Sequence, residues 1–72
     1  MGESKYRLTV KGRSVGRAKA YLWMGIIEYE IWKLLKGAKR SMTRNEIYDK
    51  VHSHWRSQGL RQLLKNGYVE RV

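Results

Sequence analysis

The sequence predicts an α+β domain, mainly helical with a small β-sheet, and three observations carry that expectation. Residues 17 to 36 repeat apolar side chains at helical spacing. Thr43 and Glu46 stand three apart in the pattern that starts a helix. A short stretch of alternating apolar and polar residues precedes the helical part, and a short strand-like stretch follows it.

The elements follow in chain order. Residues 1 to 5 show no periodicity and are expected to fray. In residues 6 to 10, Tyr6, Leu8 and Val10 alternate with Arg7 and Thr9, which puts the larger apolar groups on one face of a short strand. Residues 11 to 16 hold two glycines and two basic residues, which suits a turn or a flexible basic arm. Between 17 and 36, Ala20, Trp23, Met24, Ile27, Ile31, Leu34 and Leu35 share the core face of one long helix. Leu22, Tyr29 and Trp32, flanked by Tyr21 and Ile26, form a second apolar stripe with Gly25 inside it. A surface helix buries only one face, so the second is expected to be covered by the N-terminal segment or by another copy of the chain. Gly25 costs about 1 kcal/mol relative to alanine in a helix interior, and close approach of another backbone would explain it.

Gly37 stands where that helix should stop, with Lys33, Lys36, Lys39 and Arg40 near its negative dipole end. The Thr43–Glu46 capping box starts a second helix to about residue 52, with Met42 packing on Ile47 as a hydrophobic staple and Ile47 and Val51 turned inward. A third helix is expected from residue 54 or 55 to 66. Leu60, Leu63 and Leu64 lie on its apolar side. His54, Gln58, Arg61, Gln62 and Lys65 lie on the other, without a carboxylate. Gly67 supplies the stop, and residues 68 to 72 read as a strand.

Composition narrows the function. Sixteen Lys and Arg against six Asp and Glu give a formal net charge of +10 on 72 residues, so a polyanion is the expected partner. There is no cysteine, which closes disulfides and Cys-based zinc sites. His52 and His54, two apart and without a third ligand nearby, do not make a metal site. No apolar run approaches the ~18 residues of a membrane span, and no secretory signal is evident, so the chain reads as soluble and cytoplasmic. So small a domain has little room for a catalytic pocket. The expectation is a binding module with no catalysis, no cofactor and no small-molecule substrate.

The segment Leu60-Arg61-Gln62-Leu63-Leu64-Lys65-Asn66-Gly67-Tyr68-Val69-Glu70-Arg71 resembles the close of the recognition helix and the entry to the wing in winged helix-turn-helix transcriptional regulators. Met42-Thr43-Arg44-Asn45-Glu46-Ile47-Tyr48 is similar to the start of their second helix. The resemblance runs from about residue 20 to 72 and implies a three-helix winged helix-turn-helix domain at 17–72, with 1–16 as an N-terminal strand and basic arm. It departs from the family twice. A two-strand wing cannot be completed within the C-terminal residues, so the N-terminal strand is expected to replace the missing one. Family members place an apolar residue four positions before Leu60, where this chain has Arg56, and Trp55 is expected to turn inward instead.

The resemblance implies a double-stranded DNA-binding transcriptional regulator with its third helix in the major groove. There Arg61 can read guanine, Gln58 adenine, and Lys65 can meet phosphate, with Gln62 on the same DNA-binding face. Each of these also suits an ordinary solvated helix face. Ser53, Ser57 and His54 are placed to touch phosphate near the helix start, although either serine also suits an N-cap. Arg44 lies in the first turn of the second helix, where related folds cross the backbone. Arg7, Lys11, Arg13, Arg17 and Lys19 of the basic arm track phosphate, insert into a minor groove or remain in solvent. Trp23 and Trp32 read as core or interface rather than base-stacking platforms. Leu22, Gly25, Ile26, Tyr29 and Trp32 are the expected homodimer seam. The alternatives are a winged-helix protein-interaction module, an RNA-binding protein and a non-specific DNA-packaging protein.

Overall fold

In the computed structural model, which describes residues 4–72, the N-terminal strand lies in the middle of the sheet. The strands are β1 (Lys5–Leu8), β2 (Met42–Thr43) and β3 (Val69–Arg71), ordered β2-β1-β3 and antiparallel throughout. Tyr6 is opposite Met42 on one side and Arg71 on the other. Five helices accompany them among the described residues: α1 (Val10–Ser14), α2 (Arg17–Trp23), α3 (Ile26–Ala38), α4 (Arg44–Lys50) and α5 (Arg56–Lys65). The mixed α and β composition agrees with the expected class. The helix count does not, since three were expected.

The alternation in β1 is as expected, with Tyr6 and Leu8 buried and Lys5 and Arg7 exposed. The strand nevertheless ends before Val10, which is exposed and opens α1. Thr9 causes the change: its Oγ1 accepts the Gly12 N–H at 3.0 Å and donates to the Gly67 carbonyl at 2.6 Å. An N-cap hydroxyl satisfies a backbone donor that a turn would leave to water. The stretch expected as a turn or flexible arm is thus a helix held against the chain. The fraying expected of residues 1 to 5 lies outside the described residues for the first three, and Lys5 is paired with Thr43.

The long helix expected over 17–36 is broken at Met24 and Gly25. Met24 is extended, and Gly25 becomes the N-cap of α3. Glycine is a poor interior residue but an acceptable cap. The break keeps Ala20 and Met24 in the core while bringing Tyr21 edge-on to Tyr29, with ring centroids 5.7 Å apart. It also exchanges the tryptophans. Trp23, assigned to the core stripe, is exposed, and Trp32, assigned to the second stripe, is buried beside α1. Helix α3 passes Gly37, its expected stop, and ends at Ala38 with Lys39 in the left-handed region at φ 56°. Gly67, at φ 79°, does end the turn after α5.

Around α4 the sequence expectation holds. Thr43 Oγ1 accepts the Glu46 N–H at 3.1 Å, Glu46 Oε1 accepts the Thr43 N–H at 2.9 Å, and Met42 and Ile47 are both buried. Helix α4 ends at Lys50, two residues early. The start of α5 differs from expectation, because Trp55 is its exposed N-cap and does not turn inward. Arg56 takes the place: its guanidinium lies 5.0 Å from the Tyr48 ring centroid and donates to the Ser53 carbonyl at 3.2 Å. An arginine stem can cover apolar surface while its head finds polar partners. The most completely buried large side chains are Trp32, Tyr6, Ile31, Ile47 and Leu63, so the core lies where α3, α4 and α5 meet the inner face of the sheet.

Candidate nucleic-acid interface

Helix α5 is oriented by what it buries. Gly59, Leu60 and Leu63 face inward, and a Cβ on Gly59 would stand 3.0 Å from Ile27 Cγ2 and 3.3 Å from Ile31 Cδ1. The two helices therefore meet at a distance that only a glycine fits comfortably. With that side committed to α3, the 100° step per residue turns Ser57, Gln58, Arg61 and Lys65 to solvent, and all four are exposed. No carboxylate interrupts the helix, as its sequence RSQGLRQLLK shows. His54 is exposed just before it, edge-on to Trp55.

The remaining predicted residues divide into those that join this face and those that do not. Gln62 is half-buried and, with Gln58, lines a groove beside Glu28 at the start of α3, so it sits at the edge of the face. Ser53 Oγ accepts the Trp55 N–H at 3.2 Å and is occupied by the turn, whereas Ser57 is exposed. Arg44 is exposed at the first turn of α4. Its Nη2 donates to the Tyr6 hydroxyl at 3.1 Å, and that bond raises its pKa above the ordinary arginine value. Arg17 is exposed at the start of α2.

Lys11 and Arg13 part company because α1 is a helix, on which residues two apart point about 200° from each other. Lys11 Nζ donates to the Asn66 carbonyl at 2.9 Å and lies 4.8 Å from the Tyr68 ring centroid. It therefore extends the positive face beyond Lys65. Arg13 turns into a different, strongly basic groove with Arg7, Lys36, Lys39 and Arg40. In the sequence the last three stand only as charges near a helix end. Their convergence with Arg7 and Arg13 had no signal in the sequence, because it depends on α1 packing beside the end of α3.

The expected dimer seam does not exist as one stripe. Trp32 is 1% exposed and donates its indole N–H to the Gly12 carbonyl, Tyr29 is half-buried and stacked on it, and Gly25 lies in the helix break. Leu22 and Ile26 remain, at 77% and 79% exposed, and Tyr21, Trp23 and Trp55 are exposed as well.

Only two ion pairs form among the described residues, Arg7–Glu70 at 2.7 Å and Arg40–Glu46 at 2.9 Å. The Thr43 N–H and the Arg40 guanidinium hold the Glu46 carboxylate down to a pKa of about 2. Most of the sixteen basic side chains are therefore without a carboxylate partner among the described residues. Among the described residues no three His, Cys, Asp or Glu side chains converge as metal ligands, and no helix is long and apolar enough to cross a membrane. No protein-family model, curated protein or solved structure matches the chain.

Proposed function

We propose that the chain binds double-stranded DNA as a small transcriptional regulator, laying α5 in the major groove. The observation that carries this reading is the outer face of α5, where Ser57, Gln58, Arg61 and Lys65 are all exposed with no acidic residue among them. Such a face offers an arginine for guanine, an amide for adenine and a lysine for phosphate within three helical turns. Lys11 at its C-terminal end and Arg44 on α4 supply positive charge from two further elements, as backbone-positioning contacts require.

The element order supports a winged helix-turn-helix reading of the fold. Helices α3, α4 and α5 run in the order of that motif, β3 follows α5 directly, and β1 fills the strand position between β2 and β3. In this reading the N-terminal strand replaces the second wing strand, and the tip of the wing is formed around Lys5 and Arg71.

The regulator acts as a homodimer through Tyr21, Leu22, Trp23 and Ile26. Four large apolar side chains exposed within six residues of chain on so small a domain favour burial against a partner. Arg17 and Lys19 precede this segment and Glu28 and Glu30 follow it, so an antiparallel two-fold copy would bring opposite charges together. Two-fold symmetry presents two copies of α5, and half-sites about 34 Å apart are expected where their separation matches one DNA turn.

Selection of bound duplexes from a random library tests the reading. Enrichment of a motif, palindromic for the dimer, is the expected result. Binding without enrichment would assign the charge to packaging, and preference for structured RNA in parallel titrations would remove α5 from the interface, because the deep RNA groove excludes a helix.

A further inference from the structure

The second basic groove has a chemistry that α5 does not share. Its volume is about 450 Å³, within the range of small-molecule sites, and Arg7, Arg13, Lys36, Lys39 and Arg40 converge on it from β1, α1, α3 and the loop that follows. Leu8 and Leu35, both buried, form an apolar floor.

Local structure accounts for only part of this convergence. Arg7 and Arg40 are held by Glu70 and Glu46, and Lys36 donates to the Val15 carbonyl at 3.2 Å while covering the Trp32 ring. The side chains of Arg13 and Lys39 have no partner among the described residues. The negative end of α3 favours about half a positive charge, and this does not explain Arg7 and Arg13, which come from other elements. Lys39 is also held in the left-handed conformation that glycine or asparagine adopts at lower cost, so the position sets an ammonium at the groove against local backbone preference.

From this geometry we infer that the groove binds a phosphorylated small molecule of nucleotide size. Arg13 and Lys39 hold the phosphate with charge-assisted hydrogen bonds, and the body of the ligand lies on Leu8 and Leu35. Arg13 and Lys11 leave opposite sides of α1, so this site is separate from the α5 face and does not depend on the DNA reading.

Backbone amide shifts of the full chain, titrated with adenosine 5′-monophosphate, inorganic phosphate and adenosine, provide the test. The nucleotide is expected to shift Leu8, Arg13 and Lys39 and to bind more tightly than either fragment. In an Arg13→Gln, Lys39→Asn variant its affinity should fall by about tenfold or more. Asparagine suits the backbone at position 39, and an unchanged thermal midpoint verifies the fold. Arg61→Gln with Lys65→Gln should leave nucleotide binding unchanged. Equal nucleotide affinity in the wild type and the groove variant overturns the proposal, as do shifts confined to α5. If the groove variant weakens a random duplex while the nucleotide shifts nothing, the groove contacts strand phosphates and the small-molecule site is overturned.

Discussion

The indole N–H of Trp32 donates to the carbonyl oxygen of Gly12 at 2.8 Å, joining the middle of α3 to a five-residue helix that could not persist alone. The same helix is tied to the α5–β3 junction by the Thr9 N–H on the Tyr68 carbonyl at 3.0 Å and by Thr9 Oγ1 on the Gly67 carbonyl. The N-terminal residues thus join two parts of the core, and Lys11 and Arg13 acquire fixed directions.

Gly12 tests that junction most directly. A Cβ there would stand 2.1 Å from the Tyr68 carbonyl oxygen, a backbone atom that cannot rotate away. Gly12→Ala should cost about 1–3 kcal/mol through forced backbone shifts. Trp32→Phe should cost a similar amount, about 1–3 kcal/mol, by leaving a buried carbonyl unpaired. Urea unfolding of both variants measures the two effects. Stability equal to wild type would mean that α1 does not pack in solution as described.

Acid sensitivity should include a contribution from Glu46. Its pKa falls from an ordinary 4.5 to about 2 in the folded chain, so folding favours the carboxylate. That contribution is fully present above about 4.5 and is lost as pH falls through about 2. Glu46→Gln keeps an acceptor for the Thr43 N–H but cannot titrate. Urea midpoints across this window should fall less steeply in the variant than in the wild type, and parallel curves would contradict the assignment.

On a selected DNA site, Arg61→Ala should weaken binding by about 1–3 kcal/mol while random duplex loses no more than one charge's worth of affinity. Lys65→Ala should weaken both DNAs alike and reduce the slope of log affinity against log salt by about 0.9. Equal losses on both DNAs for Arg61→Ala would remove it from base reading.

Association is best tested away from Trp32, whose burial means that any charged substitution there unfolds the monomer. Leu22→Glu with Ile26→Glu changes two side chains that are already in water, so the fold should survive. Sedimentation equilibrium should show a dimer for the wild type and a folded monomer for this variant. A wild type that remains monomeric at high micromolar concentration, with and without DNA, refutes the interface.

The sequence by itself determined the elements whose signals are local. Thr43 and Glu46 bond to each other's backbone within one turn, Tyr6 and Leu8 alternate over four residues, and the polar face of α5 follows from helical spacing once Leu60 and Leu63 are inside. Tertiary structure decided what depends on distant partners. Thr9 reads as a strand residue until Gly67 and Tyr68 are beside it, and Arg56 reads as a misplaced charge until Tyr48 lies beneath its guanidinium. Trp23 and Trp32 have the same hydropathy, yet one is exposed and the other buried, because the break at Met24 and Gly25 ends the single helical phase that related them. The basic groove belongs to the same class: its charges are visible in the chain, but only the packing of α1 beside the end of α3 brings them together.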